Sequence, residues 1–303
     1  MTGRPLQREG RVLLVFAGAL GDFLLLAPSI AALRATGAAV ELSVPRALEG
    51  LAHDLFPGAA GPPADGASMR SLFTSEIDPT LATWLRGAAR LETWLGEPDV
   101  LERHRRALGI AAVRRLHVER GEVGPHASEA YASMFGVRPL IPAIPRTWRD
   151  GPQERPRALV IHPGAGALAK RWTASGFRAV ADAWRARGGE AIILLGPAED
   201  GEETHWRTSG HEVASGLDLR GVATLLTCVP RYIGNDSGIS HLAGILGRRG
   251  LVLFGPTSPA RWRPLGGGLE PLIYAGRTED ETRAQLLTWL AAAAYLDTPT
   301  DRH

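Results

Sequence analysis

Arg11-Val12-Leu13-Leu14-Val15-Phe16-Ala17, followed by Gly18-Ala19-Leu20-Gly21-Asp22, decides the fold of this chain. The first stretch is a continuous apolar run, which predicts a strand buried on both faces. The glycines of the second predict a tight turn. A helix is expected to follow to about Thr36, ended by Gly37. Val40–Val44 reads as the next strand. Strand, helix and strand in that order predict a parallel sheet with helices on its faces.

Outward from there the signal weakens. Pro57–Gly66 is a Gly/Pro/Ala loop. Short strands are expected at Ser71–Phe73, Arg90–Trp94 and Val113–Val118, and a helix at Ser128–Phe135. Arg138–Pro156 carries Pro139, Pro142, Pro145, Pro152 and Pro156 and reads as a linker. A second rhythm then begins. Strands are expected at Ala158–His162, Ala191–Leu195, Tyr232-Ile233 and Leu251–Phe254, and helices at Thr173–Arg187, Ser237–Leu246 and Glu279–Tyr295. The expectation is an α/β chain of two Rossmann-like domains, 1–150 and 151–303, facing each other across a cleft. The closing helix is placed with the second domain, with the option of packing back on the first. Ligands in such sheets bind beyond the carboxyl ends of the strands.

Composition narrows the classes. The 303 residues are 45% hydrophobic and 22% charged, which describes a globular chain and not a disordered one. A net charge of +2 with no long basic block argues against nucleic acid. The one cysteine, Cys228, sits in an apolar run and reads as a buried structural thiol. No Cys/His cluster has zinc spacing. The start, Met1–Gly10, is polar and unlike a signal sequence, and Phe23–Leu33 is too short and too broken by Pro28 to span a bilayer. A cytoplasmic protein is expected, with contact to a membrane surface left open.

Of the 34 basic residues only Lys170 is lysine. It lies in His162-Pro163-Gly164-Ala165-Gly166-Ala167-Leu168-Ala169-Lys170-Arg171-Trp172, where a strand end runs through a glycine-bearing loop. A compact ammonium approaches phosphate where a guanidinium does not fit. The alternative is that an arginine-biased composition left one lysine by chance.

Four segments follow expected strands. In the first, Asp22 is either a general base or a carboxylate offsetting a helix dipole. Gly18-x-x-Gly21 is not the dinucleotide fingerprint, because the third glycine is missing. In the second, backbone N–H groups near Ala165–Ala167 and the Lys170 ammonium could hold a diphosphate. The third, Gly234-Asn235-Asp236-Ser237-Gly238-Ile239-Ser240-His241, sets Ser237 and Gly238 at a helix start, where free N–H groups bind anions. His241 is either packed or in reach of the same anion. In the fourth, Leu195-Gly196-Pro197-Ala198-Glu199, Glu199 either accepts from ribose hydroxyls or is a helix-start carboxylate. Phe254-Gly255-Pro256-Thr257-Ser258-Pro259-Ala260-Arg261-Trp262 is its counterpart further on. Arg171 and Trp172 read as structural or rim residues.

Taken in order, these motifs resemble glycosyltransferase family 9, the ADP-heptose:lipopolysaccharide heptosyltransferases and their relatives. The likeness covers roughly residues 11–36 and 157–265 and is poor over 50–125. It implies a GT-B fold with the acceptor on the N-terminal domain and the nucleotide-sugar on the C-terminal one. It implies an inverting transfer, independent of metal and cofactor, from a nucleotide-sugar such as ADP-heptose to a saccharide or glycolipid such as lipopolysaccharide core. By position in the motifs Asp22 matches the catalytic base, Lys170 the diphosphate lysine and Glu199 the ribose-binding glutamate. Asp236, Ser237, Gly238 and His241 match the donor-binding helix start, and Gly21 and Gly164 join the donor-binding set. Acceptors of this kind would bring the protein to the inner membrane surface. The loop Ala165–Ala169 departs from the family, which often carries Ser or Thr there. Two rivals stay open: a nucleotide-sugar epimerase, and a relative that binds nucleotide-sugar without catalysis.

Overall fold

The computed structural model describes residues 10–117, 121–149 and 154–295. The polar start through residue 9, Val118 of an expected strand, residues 150–153 of the expected linker and residues 296–303 lie outside them. The chain divides into two compact units, Met1–Gly121 with Pro125–Pro145, and Glu122–Gly124 with Arg146–His303.

The first unit opens with β1 (Val12–Val15), every residue of which is buried, and α1 (Leu20–Ala35). β2 (Val40–Ser43), α2 (Arg46–Leu55), α3 (Pro79–Leu85), β3 (Arg90–Thr93), α4 (Pro98–Leu108), β4 (Ala112–Arg115) and α5 (Ala127–Phe135) follow. Its four strands are parallel in the order β2-β1-β3-β4. The chain order therefore reverses between β1 and β3, the point where doubly wound sheets open a crevice. α1 packs on α5, and Phe23–Ile30 is buried without a break. That continuous burial explains why the segment reads as apolar on all sides. No helix among the described residues is long and apolar enough to cross a membrane. The expected strand at Ser71–Phe73 is instead the end of a 3-10 helix, Ala67–Phe73. Met69 and Leu72 are its buried residues, and three-residue spacing aligns them on one face of such a helix.

The second unit runs α6 (Arg146–Arg149), β5 (Ala158–His162), α7 (Ala174–Ala186), β6 (Glu190–Leu194), α8 (Glu203–Thr208), β7 (Glu212–Ala214) and α9 (Leu219–Cys228). β8 (Arg231–Asn235), α10 (Gly238–Ile245), β9 (Arg249–Phe254), α11 (Pro259–Trp262), β10 (Leu269–Ile273) and α12 (Glu279–Tyr295) complete it. Six parallel strands lie in the order β10-β9-β8-β5-β6-β7. Counted from β5 this is the 3-2-1-4-5-6 order of dinucleotide-binding folds, with its switch point between β5 and β8. Trp172, Phe177, Trp184, Ile161 and Leu251 share one core with Leu286 and Leu290 of α12. The last helix thus packs on the second unit, against α7. Cys228 is buried, as its apolar surroundings predict. The α/β class and the parallel sheets read from the sequence are those of the fold.

Candidate active site

The switch point of the second unit is held by one side chain. Asn235 ends β8 and is fully buried. Its Nδ2 donates to the Pro163 carbonyl at 2.7 Å, and its Oδ1 accepts the Trp172 N–H at 3.0 Å. Both ends of the loop after β5 are therefore fixed to the end of β8. An amide is suited to this because it donates and accepts at once.

Lys170 closes a short 3-10 turn, Leu168–Lys170, within that loop. Its Nζ donates to Asp236 Oδ2 at 2.7 Å, with the lysine side chain 31% exposed and the aspartate 4%. The Thr257 hydroxyl donates to the same oxygen at 2.6 Å. Three strand ends, β5, β8 and β9, thus meet on one carboxylate. An ammonium has three protons, so the pair with Asp236 orients Lys170 while leaving it able to meet a second acceptor. Ser237 caps α10, and its Oγ accepts the Ser240 N–H at 3.3 Å. Gly238 and Ile239 come next and are part-exposed. Their N–H groups precede any helix carbonyl able to accept them and carry the positive end of the helix dipole. His241 is buried one turn in.

Glu199 lies in the turn after β6 and is 3% exposed. Its carboxylate accepts from Arg171 Nη2 at 2.5 Å and from the Gly196 N–H at 3.0 Å. Gly164 packs over it, so that a Cβ there would lie 2.5 Å from the carboxylate. The glycine of His-Pro-Gly is thus required by a close approach to Glu199. In this arrangement Glu199 organises the loop that carries Lys170. Arg171 is structural, with its side chain 16% exposed and Glu202 as a second, weaker partner at 3.3 Å.

His162, at the end of β5, is buried, and its Nδ1–H points at the Leu194 carbonyl, 2.9 Å away. Burial, with the Arg171 charge nearby, pushes its pKa down to about 4. The folded state therefore holds it neutral, whereas the unfolded chain takes up its proton near the ordinary 6.5. Its contribution to stability is full above pH 6.5 and is lost as pH falls from 6.5 toward 4, by roughly 3 kcal/mol at about 1.4 kcal/mol per unit. Burial lowers His211 too, so its contribution is also lost as pH falls below 6.5. Urea midpoints measured from pH 7.5 to 5 should fall, and His162→Gln should flatten the slope relative to His211→Gln. Equal slopes in wild type and His162→Gln would discard this account.

In the first unit, Gly21 and Asp22 lie in the first turn of α1, both part-exposed. Ala19 at the cap offers no side-chain hydrogen bond, so Asp22 is the acidic group of that turn. The Phe16 ring packs under Gly18, where a Cβ would lie 2.4 Å from it. Phe16 also meets Trp94 edge-on at 5.4 Å between centroids. The turn that presents Asp22 thus rests on an aromatic floor.

The structure brings Gly164, Lys170, Glu199, Asp236, Ser237, Gly238 and His241 to the carboxyl ends of the second sheet, as strand order requires. Gly21 and Asp22 occupy the corresponding end of the first. Sequence reasoning passed over Asn235 and Thr257. Both stand inside motifs it quoted, and their polar side chains directly at strand ends were the available signal. Among the described residues no three His, Cys, Asp or Glu side chains form a group able to hold a metal ion.

Comparison with known proteins gives this arrangement relatives. Residues 129–281, half of the chain, match the family model of glycosyltransferase family 9 (heptosyltransferase). Lipopolysaccharide heptosyltransferase 3 of Escherichia coli is 29% identical over 159 residues, 46% of this chain and 45% of that one. Lipopolysaccharide heptosyltransferase 1 of Pseudomonas aeruginosa is 29% identical over 148 residues, 45% of this chain and 41% of that one. The chain thus spans less than half the length of the curated relatives it matches. Among solved structures, a family 9 glycosyl transferase of Veillonella parvula covers 98% of this chain and all of its own, with a TM-score of 0.72 at 17% identity. The E. coli ADP-heptose lps heptosyltransferase II covers 95% and 99%, with a TM-score of 0.71 at 18% identity. E. coli heptosyltransferase WaaC with ADP covers 94% and 99%, with a TM-score of 0.68 at 17% identity. At these identities the likeness is one of fold, the GT-B fold of that family.

Proposed function

Since the chain belongs to glycosyltransferase family 9 (heptosyltransferase), we propose that it moves a heptose from ADP-heptose to a saccharide of lipopolysaccharide-core type, with inversion and without metal. The observation that carries this reading is the meeting of Lys170, Asp236 and Thr257 at the switch point, beside the start of α10. A diphosphate leaving group needs its growing charge met as the sugar passes through an oxocarbenium-like state. Lys170 and the N–H groups of Gly238 and Ile239 are the groups proposed to meet it. Asp236 and Thr257 keep the ammonium in place. Glu199, through Arg171 and Gly164, keeps the loop in place. Asp22 is proposed as the base: as the acceptor oxygen bonds to the anomeric carbon, its proton passes to the carboxylate and the bond to the diphosphate breaks.

The test is a transfer assay with ADP-heptose and a heptose-deficient core saccharide. ADP should be released only when the acceptor is present, and the rate should be the same in EDTA. Release without acceptor, or a new sugar isomer in place of joined product, would move the reading to another reaction class. Loss of activity in EDTA with recovery on Mg²⁺ would reassign the stabiliser of the leaving group.

A further inference from the structure

The opposite end of the second sheet carries a feature that the transfer reaction does not use. A cavity of about 390 Å³ opens where β8, β9 and β10 begin, under α12, and falls in the size range of small-molecule sites. Arg231, Arg249 and Glu270 line it from the strands, and Trp289, Ala292 and Ala293 from the helix. It lies at the amino ends of the strands, whereas Lys170 and Asp236 follow carboxyl ends.

Arg231 and Arg249 are cross-strand partners in register. Like charges set directly opposite each other cost stability unless something compensates. Arg231 is 7% exposed and held in position: its Nη1 donates to the Pro156 carbonyl at 2.7 Å, and its guanidinium stacks 5.2 Å from the Trp184 ring centroid. Arg249, by contrast, is exposed. Glu270 is one step along, in register with Leu251, so the pocket presents two cations and one carboxylate on the face that α12 covers. Gly250 and Gly268 also line it. Each is a glycine for a steric reason, since a Cβ at Gly250 would lie 1.6 Å from the Tyr232 carbonyl oxygen and one at Gly268 2.4 Å from that of Arg248.

We infer that this cavity is a second ligand site, which takes a phosphorylated monosaccharide. The phosphate goes to Arg249 beside the fixed Arg231, because guanidinium groups bind phosphate through paired N–H bonds. A sugar hydroxyl goes to Glu270, which as a carboxylate only accepts. The less polar face of the ring lies on Trp289, whose indole offers a flat apolar surface. A plain anion would leave Glu270 facing like charge, and a neutral sugar would leave the exposed Arg249 without a counter-charge, Arg231 being already engaged by Pro156 and Trp184. The combination of sugar and phosphate is what the lining selects.

The experiment is calorimetric titration of the full chain at saturating ADP with glucose 6-phosphate, glucose and inorganic phosphate as probes. Glucose 6-phosphate should bind at least tenfold more tightly than either of the others. Arg249→Ala should loosen it by roughly tenfold or more, the scale of one lost charged hydrogen bond. Arg249 is exposed, so this variant should melt as wild type does, and its ADP titration should be unchanged. Glu270→Gln should reduce the preference for glucose 6-phosphate over phosphate. Equal glucose 6-phosphate affinity in wild type and Arg249→Ala, or no binding in wild type, would overturn the inference.

Discussion

Asp22→Asn should lower turnover by ~10²–10⁴-fold while leaving ADP affinity almost unchanged, the range for a positioned general base. The reasoning starts from position. Asp22 lies in the first turn of α1, in the first unit, and Lys170, Gly238 and Ile239, the groups proposed to meet the diphosphate, lie in the second. Asparagine keeps the shape and much of the hydrogen bonding but cannot take the acceptor proton. A carboxylate that only offsets the dipole of α1 predicts a different result, a stability loss of roughly 0.3–1 kcal/mol with near-normal turnover. Transfer rates, ADP titration and thermal melts of both proteins separate the two. Near-normal turnover in the variant would assign Asp22 to structure and favour a relative that binds without catalysis.

Lys170→Ala should fail in two ways together. ADP should bind roughly 10- to 150-fold more weakly, which corresponds to about 1.5–3 kcal/mol for hydrogen bonds to a charged group. The protein should also be less stable in the absence of ADP. Asp236 is buried with its carboxylate on Lys170, and removing one partner of a buried pair typically costs about 3–5 kcal/mol. The loss should fall near 3 kcal/mol, because Thr257 still donates to the same oxygen and Lys170 is partly solvated. Calorimetry and urea denaturation read the two effects separately. Unchanged ADP affinity would remove the proposed diphosphate site even if the stability loss appeared, since the ion pair alone accounts for that loss.

Much of the sheet framework was legible because it rests on short-range pattern. β1 and Ala158–Ile161 of β5 are unbroken buried runs, and such runs appear in a sequence as continuous apolar letters. α2 was passed over although Leu48, Leu51, Ala52 and Leu55 mark one face at helical spacing. α3 and α4 begin at Pro79 and Pro98, prolines in the first turn that start helices rather than break them. β10 carries Pro271, and an edge strand tolerates a residue that a central strand would reject.

The site divides in the same way. Its motifs were visible as strand ends with glycines and caps. Its pairings were not, because they depend on strand order. Lys170 and Asp236 are 66 residues apart and meet only because β5 and β8 are neighbours. Glu199 read as a ribose acceptor or a helix-start carboxylate. Its burial against Arg171 and Gly164 became visible only once the turns after β5 and β6 were side by side.

The amide of Asn235 has a consequence for redesign. It ties Pro163 and Trp172, across 72 and 63 residues of sequence, to one point, so the loop from 163 to 172 has a set length. An insertion or deletion there would break both bonds and move Lys170 off Asp236. Grafting this loop alone from a relative would carry half of a two-part joint. A change of donor affinity is therefore best sought by replacing side chains on a backbone of unchanged length. Ala167 and Ala169, both exposed, are the places to begin, since hydroxyls there are expected to reach the proposed diphosphate without disturbing the joint.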